Sequence, residues 1–538
     1  MKRIISIILV LCMLASLIFA LSACKDPDKD DGKGDGSGNV DGGENDDGGN
    51  DGGNDNAPTG DCNTDGHSDS DSDDYCDVCN VYVAVIIDFY VVNDLHGKFC
   101  DTNSQIGVDE LATYLNNAEK NDDHTILLST GDTWQGTAES NLTGGKIITE
   151  WMNELDFAAM TLGNHDFDWG EQAIRDNLEV AEFPFLAINV YDKATGKRAD
   201  YCTPSIMVEC DGIQIGIIGA IGDCYSSISY DKVSGLEFKV GNELAALVEA
   251  ESDRLRAEGA DFIVFSLHDG NGNSSSGTGY IGNSSLKNYY TPALSNGVVD
   301  LVFEAHTHQN YTLIDSYGVY HLQAGGENKG ISHVEISVNK VNGESSIRDA
   351  EYVRSSSYAS LEDDAATEAL EDKYSDIIEY SYSNLGSVSR YYDDDVIEDK
   401  VAELYLEAGL EKWGDEYDIF LGGGFLRTRS PYNLSSGDTT YAELLSLFPF
   451  DNNIVLCSIK GYKLDRQFVS NTSSDYHIYL SDYGNDNQNS ISYNETYYVI
   501  VDTYTALYAY NELTIIEYLD DSTYARDLLA EAIANGEI

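Results

Sequence analysis

The chain has 538 residues, enough to bury a large core and, on length alone, to form two to four domains. It carries 94 Asp and Glu against 31 Lys and Arg, a formal net charge of −63. A field of that sign repels nucleic-acid polymers and anionic membrane surfaces, so any phosphate it binds must be held by locally concentrated positive charge, such as metal ions.

Residues 1–24 open with Lys2 and Arg3, run apolar from Ile4 to Leu21 and end in Leu21-Ser22-Ala23-Cys24. Charge, length and flanks predict a secretory signal peptide. Small residues directly before a cysteine resemble the bacterial lipobox, in which cleavage leaves Cys24 as the lipid-modified N-terminus. No other stretch has the apolar length of a second span. The expected location is the extracellular face of the bacterial cell membrane, with the chain anchored only by lipid at Cys24.

Residues 25–80 hold 18 Asp and Glu against 3 Lys, 15 of the 63 net negative charges. They read as an acidic Gly/Asp-rich linker that buries too little apolar surface to fold. Within it, Cys62, His67, Cys76 and Cys79 have the chemistry of a small zinc knot. The aspartates between them suit calcium, and plain linker is an equal reading. Cys202 and Cys210 can pair across a hairpin as far as spacing goes.

From Val81 onward, VYVAVIIDFYVV (81–92), TILLS (125–129), PFLAINV (184–190), IQIGIIGAI (213–221), ADFIVFSL (260–267), VVDLVF (298–303) and VYHLQAGG (319–326) predict buried strands. Helical patterns fall at 108–119, 144–154, 170–180 and 242–257. The expected organisation is a layered α/β domain over 81–355, a helical linker over 356–385 and a smaller α/β unit over 386–530. The smaller unit has a helix at 397–412 and strands at 418–421, 453–459 and 497–501.

Five polar clusters sit just beyond strand ends: NDLHG (93–97), STGDTWQG (129–136), GNHDFDWG (163–170), SLHDG (266–270) and EAHTHQ (304–309). In α/β sheets the loops at carboxyl ends of strands converge on ligands. The clusters offer imidazole, carboxylate and amide oxygen without thiolate, a set that accepts Zn, Mn, Fe, Mg or Ca. Asp94 and His96, two apart on an extended turn, can chelate one ion. His306 and His308 can divide between two ions, and a carboxylate such as Asp132 can bridge a metal pair. One such cluster is commonly a surface turn, but five together at strand ends are not a coincidence of spacing.

In order and spacing these motifs resemble the calcineurin-like metallophosphoesterase signature, and the chain from about 81 to 525 resembles the secreted 5′-nucleotidase and 2′,3′-cyclic-nucleotide phosphodiesterase family. The resemblance implies a layered β-sandwich catalytic domain flanked by helices, followed by a smaller α/β substrate-binding domain. It implies two divalent metal ions (Zn, Mn or similar), one bound by Asp94, His96, Asp132 and His308, the other by Asp132, Asn164, His268 and His306. His165 and Asp166 would form the catalytic pair, with Asp166 orienting and charging the imidazole. The ions would lower the pKa of a bridging water and neutralise phosphate oxygens.

In the second unit, DIFLGGGFLRTR (418–429) and LFPFDNN (447–453) resemble the family's Gly-rich turn ending in arginine and its Pro-Phe-x-Asn segment. By that match Arg427 would contact the substrate, and Phe450 and Tyr504 would form the two walls of a base sandwich. The chain departs from the pattern at LYAYNEL (507–513), at the lone Arg390 and at Glu304 and Ala305, which stand where the family has two glycines. The implied function is hydrolysis of extracellular nucleotides, a 5′-monophosphate or a 2′,3′-cyclic nucleotide. The alternatives are nucleotide sugars or other phosphoesters, or a surface binding protein without turnover. Closure between the two units would hinge around 356–390.

Overall fold

The computed structural model describes residues 67–538 apart from 72, 103–105, 122–123, 271–276, 281–296, 430, 472, 474–475, 510–511 and 521. The leader, Cys24 and Cys62 lie outside the described residues. Among the described residues no helix is long and apolar enough to cross a membrane.

Two sheets form the centre of the fold. The first has six strands, in spatial order Ser345–Arg354, Gly330–Asn339, Ala84–Val92, Thr125–Ser129, Ala159–Thr161 and Phe185–Leu186. The second has seven, in the order Gly277–Tyr280, Asn310–Ile314, Tyr320–Ala324, Leu301–Glu304, Phe262–His268, Ile213–Ile221 and Ser205–Cys210. They pack face to face. Val85, Ile87, Phe89 and Val91, the buried alternate residues of the first long strand, meet Ile215, Ile217, Val264, Phe303 and Leu322 of the other sheet in one core.

Helices cover the outer faces. Asp109–Asn121, Lys146–Glu154 and Glu171–Leu178 bury Leu111, Leu115, Ile147, Trp151 and Ile174 on the first sheet. Asn242–Ala257 lays Leu244, Val248 and Leu255 on Ile218, Ile263 and Phe265 of the second. Both faces of Phe262–His268 are therefore covered, and all seven of its residues are buried. This is an α/β fold of four layers, helix, sheet, sheet, helix.

The helical pattern at 144–154 is the helix Lys146–Glu154, and a further helix, Ala138–Thr143, not among the expected ones, precedes it, the two separated by Gly144 and Gly145 with positive φ of 62° and 86°. The hairpin Gly330–Asn339 with Ser345–Arg354 was not among the expected strands, although VEISVN (334–339) alternates apolar and polar residues. Cys202 and Cys210 do not face each other across a hairpin. Cys202 precedes the strand Ser205–Cys210 that Cys210 ends, and at about 3.3 Å per residue that strand holds the sulfurs far beyond disulfide reach.

A third sheet has the order Tyr476–Leu480, Ile419–Phe425, Thr496–Asp502, Ile454–Lys460 and Thr514–Tyr518. Helix Asp394–Trp413 packs Val401, Tyr405 and Leu406 against Ile419, Leu456 and Ile500 on one face. Ala402 and Leu406 approach so closely that any side chain at Gly422 would strike the helix backbone. Phe420, Val455, Val499 and Phe468 form a core on the other face. Helices Ala365–Lys373 and Ser375–Tyr382 join this part to the first, and Tyr382 donates its hydroxyl to Glu139 at 3.0 Å.

Candidate metal centre and catalytic cleft

The loops after Ala84–Val92 and Thr125–Ser129 run side by side. Asp94 N–H donates to Gly131 O, His96 N–H to Asp132 O and Gly97 N–H to Thr133 O, each at 2.9 Å. These bonds hold an unusual backbone. Asp94, His96, Asp132, His306 and His308 all take the left-handed conformation, with φ of 49°, 51°, 52°, 67° and 51°. Such strain persists only where surroundings over-determine it. Here it aims five polar side chains at one point.

Asp94, Asp132, Asn164 and His268 are buried, while His96, His306 and His308 are partly open. Asp94, His96 and His308 bring their ligand atoms within 4.8 Å of one another, as do Asp94, Asp132 and His268. His268 Nε2 lies 3.1 Å from Asp132 Oδ2 and 3.2 Å from Asn164 Oδ1. His96 Nε2 lies 3.1 Å from His308 Nε2 and 3.9 Å from Asp132 Oδ2. His306 joins through its backbone, whose N–H donates to Asp94 at 2.9 Å, and its ring lies 5.7 Å from that of His268. All seven expected ligands thus surround one space, with Asp132 between the two groups.

The donor set fits a pair of cations. His96 Nδ1 donates to Gln135 O at 2.8 Å and His268 Nδ1 donates to Thr130 O at 2.7 Å. Each ring therefore has Nε2 left to face the other ligands, the orientation a ligating histidine needs. The two Nε2 atoms of His96 and His308 have no reason to meet at 3.1 Å unless a proton or a cation lies with them. Space is reserved as well. A Cβ at Gly131 would come within 2.6 Å of Gly163 N and 2.8 Å of His268 Nδ1, and one at Gly163 would collide with the Asp132 carboxylate.

The electrostatics of the metal-free cluster tell the same story. Burial raises the Asp94 carboxyl to about 6, against the pull of His268 and His308. Burial also acts to raise Asp132, but His268, His165 and His96 outweigh it and hold that carboxyl well below the usual range. Burial acts to lower His268, yet Asp132 raises it to about 9. Burial carries His96 and His306 down to about 4. Without cations, the carboxylates draw protons onto His268 to obtain the positive charge they require.

His165 donates its backbone N–H to Asp132 Oδ1 at 2.7 Å, and its ring lies 5.4 Å from that of His96. Its Nδ1 pairs with Asp168 Oδ2 at 2.7 Å, not with Asp166. The expected His165 and Asp166 pair is thereby corrected. Residues His165–Phe167 form a 3₁₀ turn, in which residues three apart share a face, so position 168 meets the ring and position 166 turns inward. The Asp166 carboxylate accepts backbone N–H groups from Asp132 (3.0 Å), Thr133 (2.9 Å), Trp134 (3.4 Å) and Gly163 (2.7 Å). It fastens the two ligand loops together and does not orient the imidazole. Burial acts to lower His165, but Asp168 and Asp132 outweigh it and raise the imidazole to about 10.

Glu304, expected only as a replaced glycine, is buried with a purpose. It accepts the Tyr311 hydroxyl and pairs with His321 Nδ1 at 3.1 Å, behind the His306 loop.

A cleft of about 530 Å³ opens beside His165 and Asp168, lined by Arg427, Arg429, Phe450, Asn452, Tyr504 and Tyr508 among others. A second space of about 290 Å³ runs from His96, Asp132, His306 and His308 to Arg429 and Phe450. Phe450 stacks on His165 with centroids 6.3 Å apart and carries the Arg429 guanidinium 5.2 Å above its ring. Tyr504 lies against Phe425 (5.6 Å) and Tyr508 (5.5 Å). Arg427, Phe450 and Tyr504 thus share one cleft, while Arg390 lies over Tyr392. Arg526 donates to the carbonyls of Phe448 (3.2 Å) and Phe450 (3.3 Å) and pairs with Asp451, holding that loop in place. Arg429 and Arg526 were not foreseen. Arg429 stood two residues past Arg427 in the quoted motif, whereas Arg526 has no local signal because its partners lie 75 to 85 residues away.

The profile of the calcineurin-like phosphoesterase family matches residues 87–310. A 5′-nucleotidase of Vibrio cholerae is 30% identical over 224 residues, 40% of this chain and 39% of that protein. Protein UshA of Yersinia enterocolitica is 24% identical over 424 residues, 70% of this chain and 74% of that protein. The chain therefore spans about two fifths of the first relative and about three quarters of the second. Among solved structures, a 5′-nucleotidase precursor from Thermus thermophilus superposes with a TM-score of 0.56 at 17% identity, covering 84% of this chain and 97% of that one. Calcineurin-like phosphoesterases are dinuclear metal enzymes, and the ligand groups Asp94-His96-His308 and Asp94-Asp132-His268 are compatible with that. Residues 87–310 thus match the calcineurin-like phosphoesterase domain, and the chain is homologous to 5′-nucleotidases.

Proposed function

We propose that the chain is an extracellular, lipid-anchored phosphoester hydrolase of nucleotides, which frees phosphate from a 5′-monophosphate or opens a 2′,3′-cyclic phosphodiester to a monophosphate. One observation carries the reading. The space bounded by His96, Asp132, His306 and His308 shares His165, Arg429 and Phe450 with a cleft furnished with two arginines and three aromatic faces. That combination suits an anionic group at one end of a substrate and a planar base at the other.

Asp94, His96, Asp132 and His308 would hold one ion and Asp132, Asn164, His268 and His306 the other. Bound there, the cations supply Lewis acidity to the phosphoryl oxygens. His165, tied to the ligand loop through its N–H and to Asp168 through Nδ1, keeps Nε2 as the proton-carrying position for the leaving alkoxide. Arg427 and Arg429 neutralise the substrate's anionic portion, and Phe450 and Tyr504 offer apolar faces to its base. Phe450 also covers His165, which limits access of bulk water to the proton it carries.

The test is hydrolysis by the purified ectodomain with Mn or Zn, read as free phosphate from mononucleotides and a small phosphate ester and by chromatography of the products from 2′,3′-cyclic nucleotides and nucleotide sugars. Turnover of mononucleotides and 2′,3′-cyclic nucleotides above the others supports the reading. Absence of hydrolysis of every substrate with metal bound defeats it. Location is tested separately: labelling with a fatty acid should mark the wild-type chain and not Cys24→Ser, and an unlabelled wild type would refute the lipid anchor.

A further inference from the structure

The described chain begins with a short segment that the phosphoesterase reading does not use. Residues 67–83 close on themselves: Cys76 N–H donates to Val81 O (2.8 Å), Asn80 N–H to Cys76 O (2.7 Å), Asp77 N–H to Ser68 O (2.8 Å) and Val83 N–H to Asp74 O (2.8 Å). The loop docks on the end of the inner strand Gly330–Asn339 of the first sheet, where Asn339 Nδ2 donates to Asp69 at 2.6 Å and Ser337 Oγ donates to Asp74 at 3.1 Å. Yet it has almost no core. Cys76 and Val83 are its only buried hydrophobic residues, and aspartates crowd the turn between His67 and Cys76. With so little apolar burial, a cross-link or a metal would add substantially to the polar contacts that hold the loop.

Three side chains can supply it. The ligand atoms of His67, Cys76 and Cys79 lie within 4.8 Å of one another, and Cys79 Sγ is 3.4 Å from His67 Nδ1. Backbone N–H groups of Cys79, Ser68 and Val78 approach the buried Cys76 sulfur. The Cys-x-x-Cys spacing lets one tight turn present both sulfurs to the same ion, and two thiolates with one imidazole form a set for zinc, where calcium takes oxygen alone.

We propose that His67, Cys76 and Cys79 bind a structural zinc ion, separate from the catalytic pair, that clamps the start of the fold to the strand Gly330–Asn339. Its role is mechanical: it fixes the point at which the acidic N-terminal segment enters the catalytic fold. The proposal is independent of the substrate reading, since none of its residues lines the cleft.

The decisive measurement is cobalt substitution of the full chain under reducing conditions, read as thiolate-to-cobalt charge-transfer absorption. The band is expected in the wild type and in Asp132→Ala, and should be absent from Cys76→Ser/Cys79→Ser. Absence from the wild type, persistence in the double variant or loss in Asp132→Ala would each overturn the site.

A second measurement needs no variant. Alkylation of Cys76 and Cys79 in the native chain, followed by peptide mass spectrometry, should be at least about tenfold slower with zinc than after chelation. Equal rates, a Cys76–Cys79 disulfide in the isolated protein, or protection by calcium in place of zinc would overturn it equally.

Discussion

His165 Nδ1 meets Asp168 Oδ2 at 2.7 Å, while Asp166, its immediate neighbour in sequence, faces the other way and gathers four backbone N–H groups. The two carboxylates therefore do separable work. Asp168→Asn is expected to lower kcat roughly 10- to 100-fold with both metals retained. It should also move the basic limb of the kcat profile to lower pH. Asp168 is the foremost group holding His165 protonated, so its loss lowers the imidazole pKa and the acid form is exhausted sooner. Asp166→Ala should instead lower Tm and metal content together, because each buried N–H left without an acceptor costs about 1 to 3 kcal/mol. Metal analysis beside kinetics decides it: metal loss in Asp168→Asn, or full metal in Asp166→Ala, contradicts the division.

Metal uptake should depend on pH with a definite sign. His268 is raised to about 9 in the metal-free chain, and its Nε2 must shed its proton before it can ligate. Apparent affinity should therefore tighten as pH rises toward 9, by roughly tenfold per unit for the one proton released. Competition with a chelator at about pH 6.5, 7.5 and 8.5 measures the slope. A flat response would mean that His268 is already neutral without metal.

Much of this centre was legible because its information is local. Asp94, Asp132, His268, His306 and His308 end or follow strands whose apolar pattern is visible in the sequence, so they can be placed at strand ends from it. Three features were not legible in that way. The choice of Asp168 over Asp166 depends on a 3₁₀ turn, where one residue of phase decides which carboxylate meets the ring. The left-handed backbone at five ligands is imposed by bonds between separate loops, which no propensity of Asp or His encodes. Glu304 looked like a lost glycine because its partners, Tyr311 and His321, come from strands that follow it.

Phe450 offers a test of the cleft that does not touch the metals. Stacking on an aromatic face contributes about 1 to 3 kcal/mol per base. Phe450→Ala should then raise KM for a nucleotide roughly 5- to 150-fold, with a much smaller change for a small phosphate ester. Arg526→Met should act in the same direction more weakly, since it frees the Phe448 and Phe450 carbonyls and lets that loop move. Equal effects on both substrates would mean that Phe450 serves His165, on which it also stacks, and not the base.

The buried Glu304, His321 and Asp315 group should leave a mark on stability. Glu304 lies 3.1 Å from His321 Nδ1 and Asp315 lies 3.8 Å from Nε2, all three essentially without solvent contact. Burial acts to lower the imidazole, but the two carboxylates prevail and raise it to about 9. A histidine raised on folding stabilises the fold fully below its unfolded pKa, near 6.5, and that contribution disappears as pH climbs through the folded value. The metal-free protein should therefore lose Tm between about pH 6.5 and 9. In Glu304→Gln the imidazole keeps only Asp315 as an anionic partner, so its folded pKa falls and the slope over that window shrinks. At pH 6.5 the variant should also be less stable by about 3 to 5 kcal/mol, the usual penalty for breaking a buried ion pair from one side. Thermal unfolding of both proteins across the pH series measures these two effects. Parallel Tm curves would show that His321 is neutral in the folded chain and that Glu304 acts only through the Tyr311 hydroxyl.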